Sequence, residues 1–376
     1  MSDGVITGSF VFNREKGYRS IYEDTYLQLL SEMFWTNLVK VHDTDSKSEI
    51  FEWLIQSSRI RQATPADGGE SVGGMDFEEL STALVEIAPA RFDQGYRIGK
   101  MKWLNLLNKG MDPVADWMRQ QAEYAAYMPQ RETCIAIMNG GAAGSKAYDG
   151  LPYFSTAHLN HPNISGNGTY ANDLTGASSG SYPGACPIDD SVSPDVAFQN
   201  LAKALAYISG SISLPNGEDP RRLKPVRLYY PPRMWARITQ ITSAKFIAQQ
   251  ASGAGAGSAD IERVMQVFAM LQPVRVDEFD GNRTLTSGPP GFPVTATGSD
   301  TTYYIETREA NSSTLGALMM NNRQPFTMRM YSGESGANVD GIDAVLGRSQ
   351  SLEWQHDGYF SINYGHPYGL FRCKGS

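Results

Sequence analysis

Apolar residues recur every three or four positions near the start of the chain, where Tyr22, Tyr26, Leu29, Leu30, Met33, Phe34 and Leu38 form one stripe within residues 18–41. That period marks a helix with one face to bury. A second helix start is written at Asp112-Pro113: a side-chain acceptor as N-cap, then a proline suited to the first turn, then Val114, Trp117, Met118, Ala122 and Ala125 at helical spacing. Pro129 should kink or restart this helix and Gly140-Gly141 should end it near residue 138. The result is a spine of roughly 26 residues and about 39 Å. A third start, Ser193-Pro194-Asp195, leads into Ala197, Leu201, Ala204, Leu205 and Ile208 on one face.

Between and after these helices the pattern changes. Residues 49–100 read as a long two-stranded projection. An apolar approach (Phe51, Trp53, Leu54, Ile55) and a return through Leu84, Ile87 and "YRIGK" flank the tip "ATPADGGESVGGM". Residues 139–192 are irregular and rich in Gly, Ser, Asn and Pro. Strands are predicted at 225–232, 274–279, 301–308 and 325–333, with helices around Trp235, Ile238, Ile241 and Phe246 and over 260–271, and a flexible "ASGAGAGSA" between them. The closing "LEWQHDGYFSINYGHPYGLF" reads as a β-hairpin turning at "HDG". Taken together these elements predict an α+β fold.

Composition narrows the possibilities. With 41% hydrophobic and only 19% charged residues the chain has enough apolar side chains for substantial cores, and its 37 glycines and 20 prolines predict long loops around them. The formal charge of −8 and the scattered basic residues lack the footprint of a dedicated nucleic-acid binder, so any contact with DNA should be weak. Cys134, Cys186 and Cys373 are odd in number and widely spaced, which predicts free thiols in a reducing compartment rather than a disulfide framework or zinc site. No run approaches the ~20 apolar residues of a membrane span, and the first residues lack the pattern of a signal peptide, so a soluble chain is expected.

The densest candidate chemistry lies in "YDGLPYFSTAHLNHP", residues 148–162. His158 and His161 are three apart and could share a metal ion on a helix, with Asp149 as third ligand. Flanking Gly150, Pro152 and Pro162 oppose a helix, and Ser155 lacks the nucleophile elbow that would make a triad with His158 and Asp149. The favoured reading is a shaped loop: Asp149-Gly150 turns it, Pro152 stiffens it, Phe154 anchors it, and His158 and His161 belong to its structure. No catalytic residue, metal or cofactor is assigned. The acid pairs Glu78-Glu79 and Asp189-Asp190 read as solvated faces, and Tyr229-Tyr230 and Tyr303-Tyr304 as sheet residues.

In the order of its parts, and most specifically in "DGLPYFSTAH" after the spine helix, in "FEWLIQSSRIRQ" entering a Gly-rich loop, and in the aromatic C-terminal segment, the sequence resembles the major capsid proteins of tailed phages with the Hong Kong 97 fold. Within them it looks closest to the major head subunits of Mu-like phages. The resemblance implies an N-terminal arm (1–48), an extended loop (49–100), a peripheral domain with a long spine helix (101–192 plus 340–376) and a mixed α/β axial domain (193–339). It implies a subunit that assembles with itself into hexamers and pentamers of an icosahedral shell around double-stranded DNA. Separate scaffold and portal proteins, and in some cases decoration proteins, would be its partners, with no membrane. The site would be the virion capsid, built in the host bacterial cytoplasm.

On that reading Tyr22, Tyr26, Phe34 and Trp35 of the arm and Phe51, Trp53 and Leu54 of the loop base are candidate inter-subunit contacts, with a place in the core of the single chain as the alternative, and Gly68, Gly69, Gly73 and Gly74 let the loop tip bend. The sequence departs from relatives that cross-link through a loop lysine: Glu49 to Gly99 contains none. Non-covalent assembly is therefore expected. Two rivals make different predictions: a metal-dependent hydrolase using Asp149, His158 and His161 would bind one metal, and a decoration or tail protein would not form closed shells.

Overall fold

A computed structural model describes residues 8–45, 49–55, 81–87, 89–161, 166, 168–178, 182–215, 217–242, 271–288, 294–309, 316–330 and 351–374. The glycines 68, 69, 73 and 74, the "ASGAGAGSA" segment and residues 260–270 of the helix expected at 260–271 lie outside these residues.

In chain order the elements begin with helices α1 (Gly8–Leu30) and α2 (Trp35–Leu38) and strands β1 (Val39–Asp43), β2 (Glu49–Ile55), β3 (Ser81–Ile87) and β4 (Ala90–Gly99). Helices α3 (Lys100–Asn108) and α4 (Pro113–Asn139) come next, then the short strands β5 (His158–Leu159), β6 (Thr169–Tyr170) and β7 (Asp173–Leu174). Helix α5 (Pro194–Gly210), strand β8 (Leu223–Tyr230), helix α6 (Trp235–Thr242) and strands β9 (Gln272–Arg275), β10 (Thr284–Ser287), β11 (Val294–Thr297) and β12 (Thr302–Glu309) lead to β13 (Leu318–Met330), β14 (Ser351–Tyr364) and β15 (Leu370–Lys374). The chain divides into two compact units, one of Met1–Glu49, Ile87–Thr133 and Met320–Ile362, the other of Ile50–Glu86, Cys134–Met319 and Asn363–Ser376.

The first unit is built on a four-stranded sheet in the order β1-β13-β14-β4. Its core gathers Tyr18 and Tyr22 of α1, Ile98 of β4, Trp103 of α3, Val114, Trp117, Met118, Ala122 and Ala125 of α4, and Met328 and Trp354 of the sheet. The expected cap holds: the Asp112 carboxylate accepts from the Ala115 amide at 3.2 Å and from the Tyr18 hydroxyl at 3.0 Å, so one side chain both starts α4 and ties down α1. Helix α4 passes through Pro129 without a break and extends for 27 residues, where a kink or restart was expected. The stripe expected to run to Leu38 as one helix instead breaks after Leu30. Val39 onward becomes a strand because β-branched Val39 and Val41 pair beside β13.

Two further strand assignments change. "YRIGK" is not the return of the projection: β2 pairs with β3, while Tyr96 to Gly99 belong to β4 and pair antiparallel with β14. And "HDG" is not a turn. Strand β14 runs unbroken through His356-Asp357-Gly358 to Tyr364, and Pro367–Gly369 form a 3₁₀ turn before β15. Gly358 is small for another reason: a Cβ there would meet the Phe326 ring at 2.8 Å. A glycine in a strand can mark close approach as well as a turn.

The second unit holds a five-stranded sheet in the order β7-β15-β12-β8-β9. Strand β12 is antiparallel to both β8 and β15, while β9 runs parallel to β8 and β7 parallel to β15. Side chains alternate between its faces with the period of two that a strand imposes. One face sends Leu228, Tyr230, Tyr303, Ile305, Phe371 and Cys373 into a core shared with Ala197, Leu201, Ala204, Leu205 and Ile208, the stripe of α5 expected from the sequence. Each buried Leu or Ile of that stripe contributes about 1.5–3 kcal/mol. Ser193 caps α5 as predicted, accepting from the Val196 amide. The strand expected at 274–279 is shorter, with β9 ending at Arg275 and Asp277–Phe279 forming a 3₁₀ turn. Of α6, Ile238 and Ile241 are buried, but Trp235 is 56% exposed.

Candidate functional site: the buried loop and the polar face of the sheet

Asp149 and His158, nine residues apart, are brought together in the second unit. Asp149 Oδ2 lies 2.7 Å from His158 Nδ1, and both side chains are fully buried. Gly150 takes φ +77°, the left-handed value that lets the chain reverse directly after Asp149. The Leu151 amide donates to Asp149 Oδ1 and the Leu159 amide to Oδ2, each at 3.2 Å. Burial by itself would raise the Asp149 pKa, but the His158 hydrogen bond and charge and the two amides outweigh it and hold the carboxyl below its usual range.

The second ring nitrogen of His158, Nε2, lies 3.0 Å from the Tyr153 carbonyl. The imidazole therefore sits between a carboxylate and a carbonyl, with both ring nitrogens engaged. Neither nitrogen faces a hydroxyl nucleophile or an open position, so the arrangement staples the loop. His161 is buried as well, and among the described residues no three His, Cys, Asp or Glu side chains converge as a metal-binding set.

The rest of the loop is secured in the same way. Tyr153, fully buried, donates its hydroxyl to the Ala317 carbonyl at 2.8 Å and stacks on Tyr364. Phe154 packs on Tyr304, and its ring occupies the space where a Cβ on Gly140 would be. Asn172 was not singled out in the sequence, yet it is the main cross-link. Its Oδ1 accepts from the Ser155 amide at 2.9 Å, and its Nδ2 donates to the carbonyls of Tyr153 at 2.7 Å and Pro367 at 3.2 Å. Tyr148 and Tyr170 flank His158, Tyr368 stacks on Tyr170, and the Arg221 guanidinium lies 3.6 Å from the centroid of Tyr368.

The face of the five-stranded sheet opposite α5 is polar. Glu306, 3% exposed, accepts from Arg227 at 3.0 Å and from the Tyr229 hydroxyl at 2.6 Å. Arg372 grips Asp173 through Nε at 3.0 Å and Nη2 at 2.5 Å and lies over Phe154. The acid pair at 189–190 is split: Asp190 is exposed and meets Arg237, but Asp189, expected on a solvated face, is buried. The tyrosine pairs at 229–230 and 303–304 are buried in the sheet.

In the first unit, Tyr22, Phe34 and Trp35 are buried within the single chain, so they offer a neighbouring subunit almost no surface. Tyr22 shares a 2.8 Å hydrogen bond with His356 and stacks on Tyr26, which is half-buried. Phe51, Trp53 and Leu54 lie in β2, where only the backbone is described. No sequence signal announced the Tyr22–His356 pair, because its members are 334 residues apart.

No protein-family model matches this chain, and no curated protein matches it. Solved structures do. A capsid chain of the cyanophage P-SCSP1u superposes over 92% of this chain and 88% of its own length with a TM-score of 0.53 at 12% identity. A chain of the mature capsid of bacteriophage PhiM1 covers 91% of this chain and 86% of its own, with a TM-score of 0.51 at 11% identity. The chain thus has the mixed helix-and-sheet fold of these capsid chains, the Hong Kong 97 type that the sequence resemblance implied.

Proposed function

We propose that this chain is the major shell subunit of a tailed-phage head, and that its copies associate into the hexamers and pentamers of an icosahedral container for double-stranded DNA. The observation that carries the reading is the extent of the likeness, which spans 92% of the chain and 88% of a phage capsid chain rather than one shared motif. The staple of Asp149 and His158 supports it: the residues that would serve a hydrolase instead fix a loop.

Within this reading the chain belongs with the Mu-like head subunits and divides into an arm (1–48), an extended loop (49–100), a peripheral domain (101–192 plus 340–376) and an axial domain (193–339). Scaffold and portal proteins, with decoration proteins in addition, are its partners, and the shell is assembled in the bacterial cytoplasm. Exposed apolar side chains are the natural seats of contacts between copies. Tyr26, Phe51, Trp53 and Leu54 are such contacts, Tyr22, Phe34 and Trp35 support them from within the chain, and the 63%-exposed Leu27 of α1, Met101 of α3 and Trp235 of α6 join them. DNA is held weakly, consistent with a net charge of −8.

Negative-stain electron microscopy and sedimentation of the concentrated protein, alone and co-produced with its scaffold, test this. Closed shells or ring-shaped capsomers are expected. A monodisperse monomer under both conditions would overturn the reading. Because no lysine lies between Glu49 and Gly99, boiled and reduced particles should run as monomer on a denaturing gel.

A further inference from the structure

The polar face of the five-stranded sheet ends in a cleft of about 240 Å³ whose walls come from five elements. The register explains how its chemistry is assembled. Thr302 lies opposite Lys374 and Tyr304 opposite Arg372 on paired antiparallel strands, so the period of two puts all four side chains on the same face. The intervening Tyr303, Phe371 and Cys373 point into the apolar core. The Thr302 hydroxyl donates to Ser299 Oγ at 2.9 Å, and Ser299 adds a second hydroxyl to the lining.

Two groups in this cleft are left over by the fold. Tyr304 is 4% exposed and borders the cleft, yet its hydroxyl makes no hydrogen bond among the described residues. The hydroxyl is therefore a donor presented to the cleft, free to meet a ligand there. Lys374 is exposed at the mouth and forms no ion pair among the described residues. Between them stands Arg372, whose Nε and Nη2 edge is taken by Asp173 and whose position is therefore fixed before any ligand arrives. Counting Arg372, Asp173 and Lys374 together, the cleft carries one net positive charge.

We propose that this cleft binds a small tetrahedral oxyanion of the phosphate or sulfate class. The anion accepts from the Tyr304 hydroxyl, from the Ser299 hydroxyl, whose oxygen already takes the Thr302 proton, and from the Lys374 ammonium, with the Arg372 guanidinium as one wall. Burial pushes the Tyr304 phenol up, with Arg372 recovering part of the shift, so the group is a hydrogen-bond donor throughout the neutral range. The aromatic floor, Phe154 and Phe279 against the Tyr304 ring, keeps that donor in place without competing for it. The inference stands apart from the shell reading, since it rests on the cleft alone.

The test is isothermal titration of the full chain with sodium phosphate at constant ionic strength, with sodium chloride as control. Saturable binding in the millimolar range is expected for phosphate and none for chloride. Tyr304→Phe removes one oxygen from a ring that stays packed, and Lys374→Gln removes an exposed charge, so both variants should fold. Each should weaken phosphate binding about tenfold, the effect of losing one hydrogen bond to a charged group. Absence of saturable phosphate binding, an equal response to chloride, or unchanged affinity in both variants would overturn the proposal. Particle formation measured on the same variants keeps its failure distinct from failure of the shell reading.

Discussion

His356 makes the first unit sensitive to acid in a way that can be isolated. The side chain is 4% exposed, shares its Nε2 with the Tyr22 hydroxyl at 2.8 Å, and stacks on Phe326 with ring centroids 5.0 Å apart. Burial depresses its pKa from 6.5 to about 4, with the neighbouring Asp357 carboxylate pulling part of the way back. The unfolded chain takes up a proton near pH 6.5, whereas the folded chain resists until about pH 4, so acid favours unfolding across that window. The stability that neutral His356 supports is fully present above pH 6.5 and is lost as the pH falls toward 4. One pKa unit corresponds to about 1.4 kcal/mol, so the loss reaches roughly 2 kcal/mol at pH 5 and about 3 near pH 4.

His356→Phe removes the titration while keeping an aromatic ring between Tyr22 and Phe326. Urea unfolding at pH 7 and pH 5 can be followed by tryptophan fluorescence, because Trp103, Trp117 and Trp354 share the core with Tyr22. The variant loses the Tyr22 hydrogen bond at both pH values, and that cost cancels when each protein is compared with itself. Wild type should lose about 2 kcal/mol more than His356→Phe between the two conditions. Equal losses would refute the argument, showing that the imidazole takes up its proton in the folded state as readily as in the unfolded chain.

Three other substitutions follow from the structure. Gly358→Ala places a methyl 2.8 Å from the Phe326 ring and should cost about 1–3 kcal/mol by thermal denaturation, whereas a hairpin turn at that position would leave Phe326 uninvolved. Asn172→Ala deletes four side-chain hydrogen bonds that tie the Asp149 loop to Pro367 and Leu370, and a loss of about 3 kcal/mol or more is expected in urea unfolding. Arg222 is the one described non-glycine residue with positive φ, at 57°, so Arg222→Gly should leave stability unchanged or raise it by up to about 1 kcal/mol, and a clear loss would mean that its side chain makes a contact of its own.

Local signals were legible before any coordinate. Asp112-Pro113 and Ser193-Pro194 start helices because cap and proline act within one turn, and the α5 stripe is buried as its spacing required. The loop at 148–162 could be recognised as a shaped structure, and Gly150 turns it as expected, because a left-handed backbone is a property of one residue. What local pattern left undetermined, or led astray, was where each element finds its partner. Gly358 carries the same residue type whether it turns a hairpin or yields space to Phe326, and only the sheet decides between them. Val39 could continue a helix until β13 offers it a ladder.

Side-chain pairing shows the same division. The sequence contained Asp149 and His158 and suggested a bland loop, but their direct pairing inside the protein depends on the turn between them and on the Tyr153 carbonyl behind the ring. Tyr22 and His356, Tyr304 and Arg372, and Asn172 and Pro367 meet across separations that carry no periodic trace. Helix period and capping arise from interactions within a few residues and are therefore written in the sequence. Burial, register and the meeting of distant polar groups arise only when the sheets close, and the tertiary structure alone decided them.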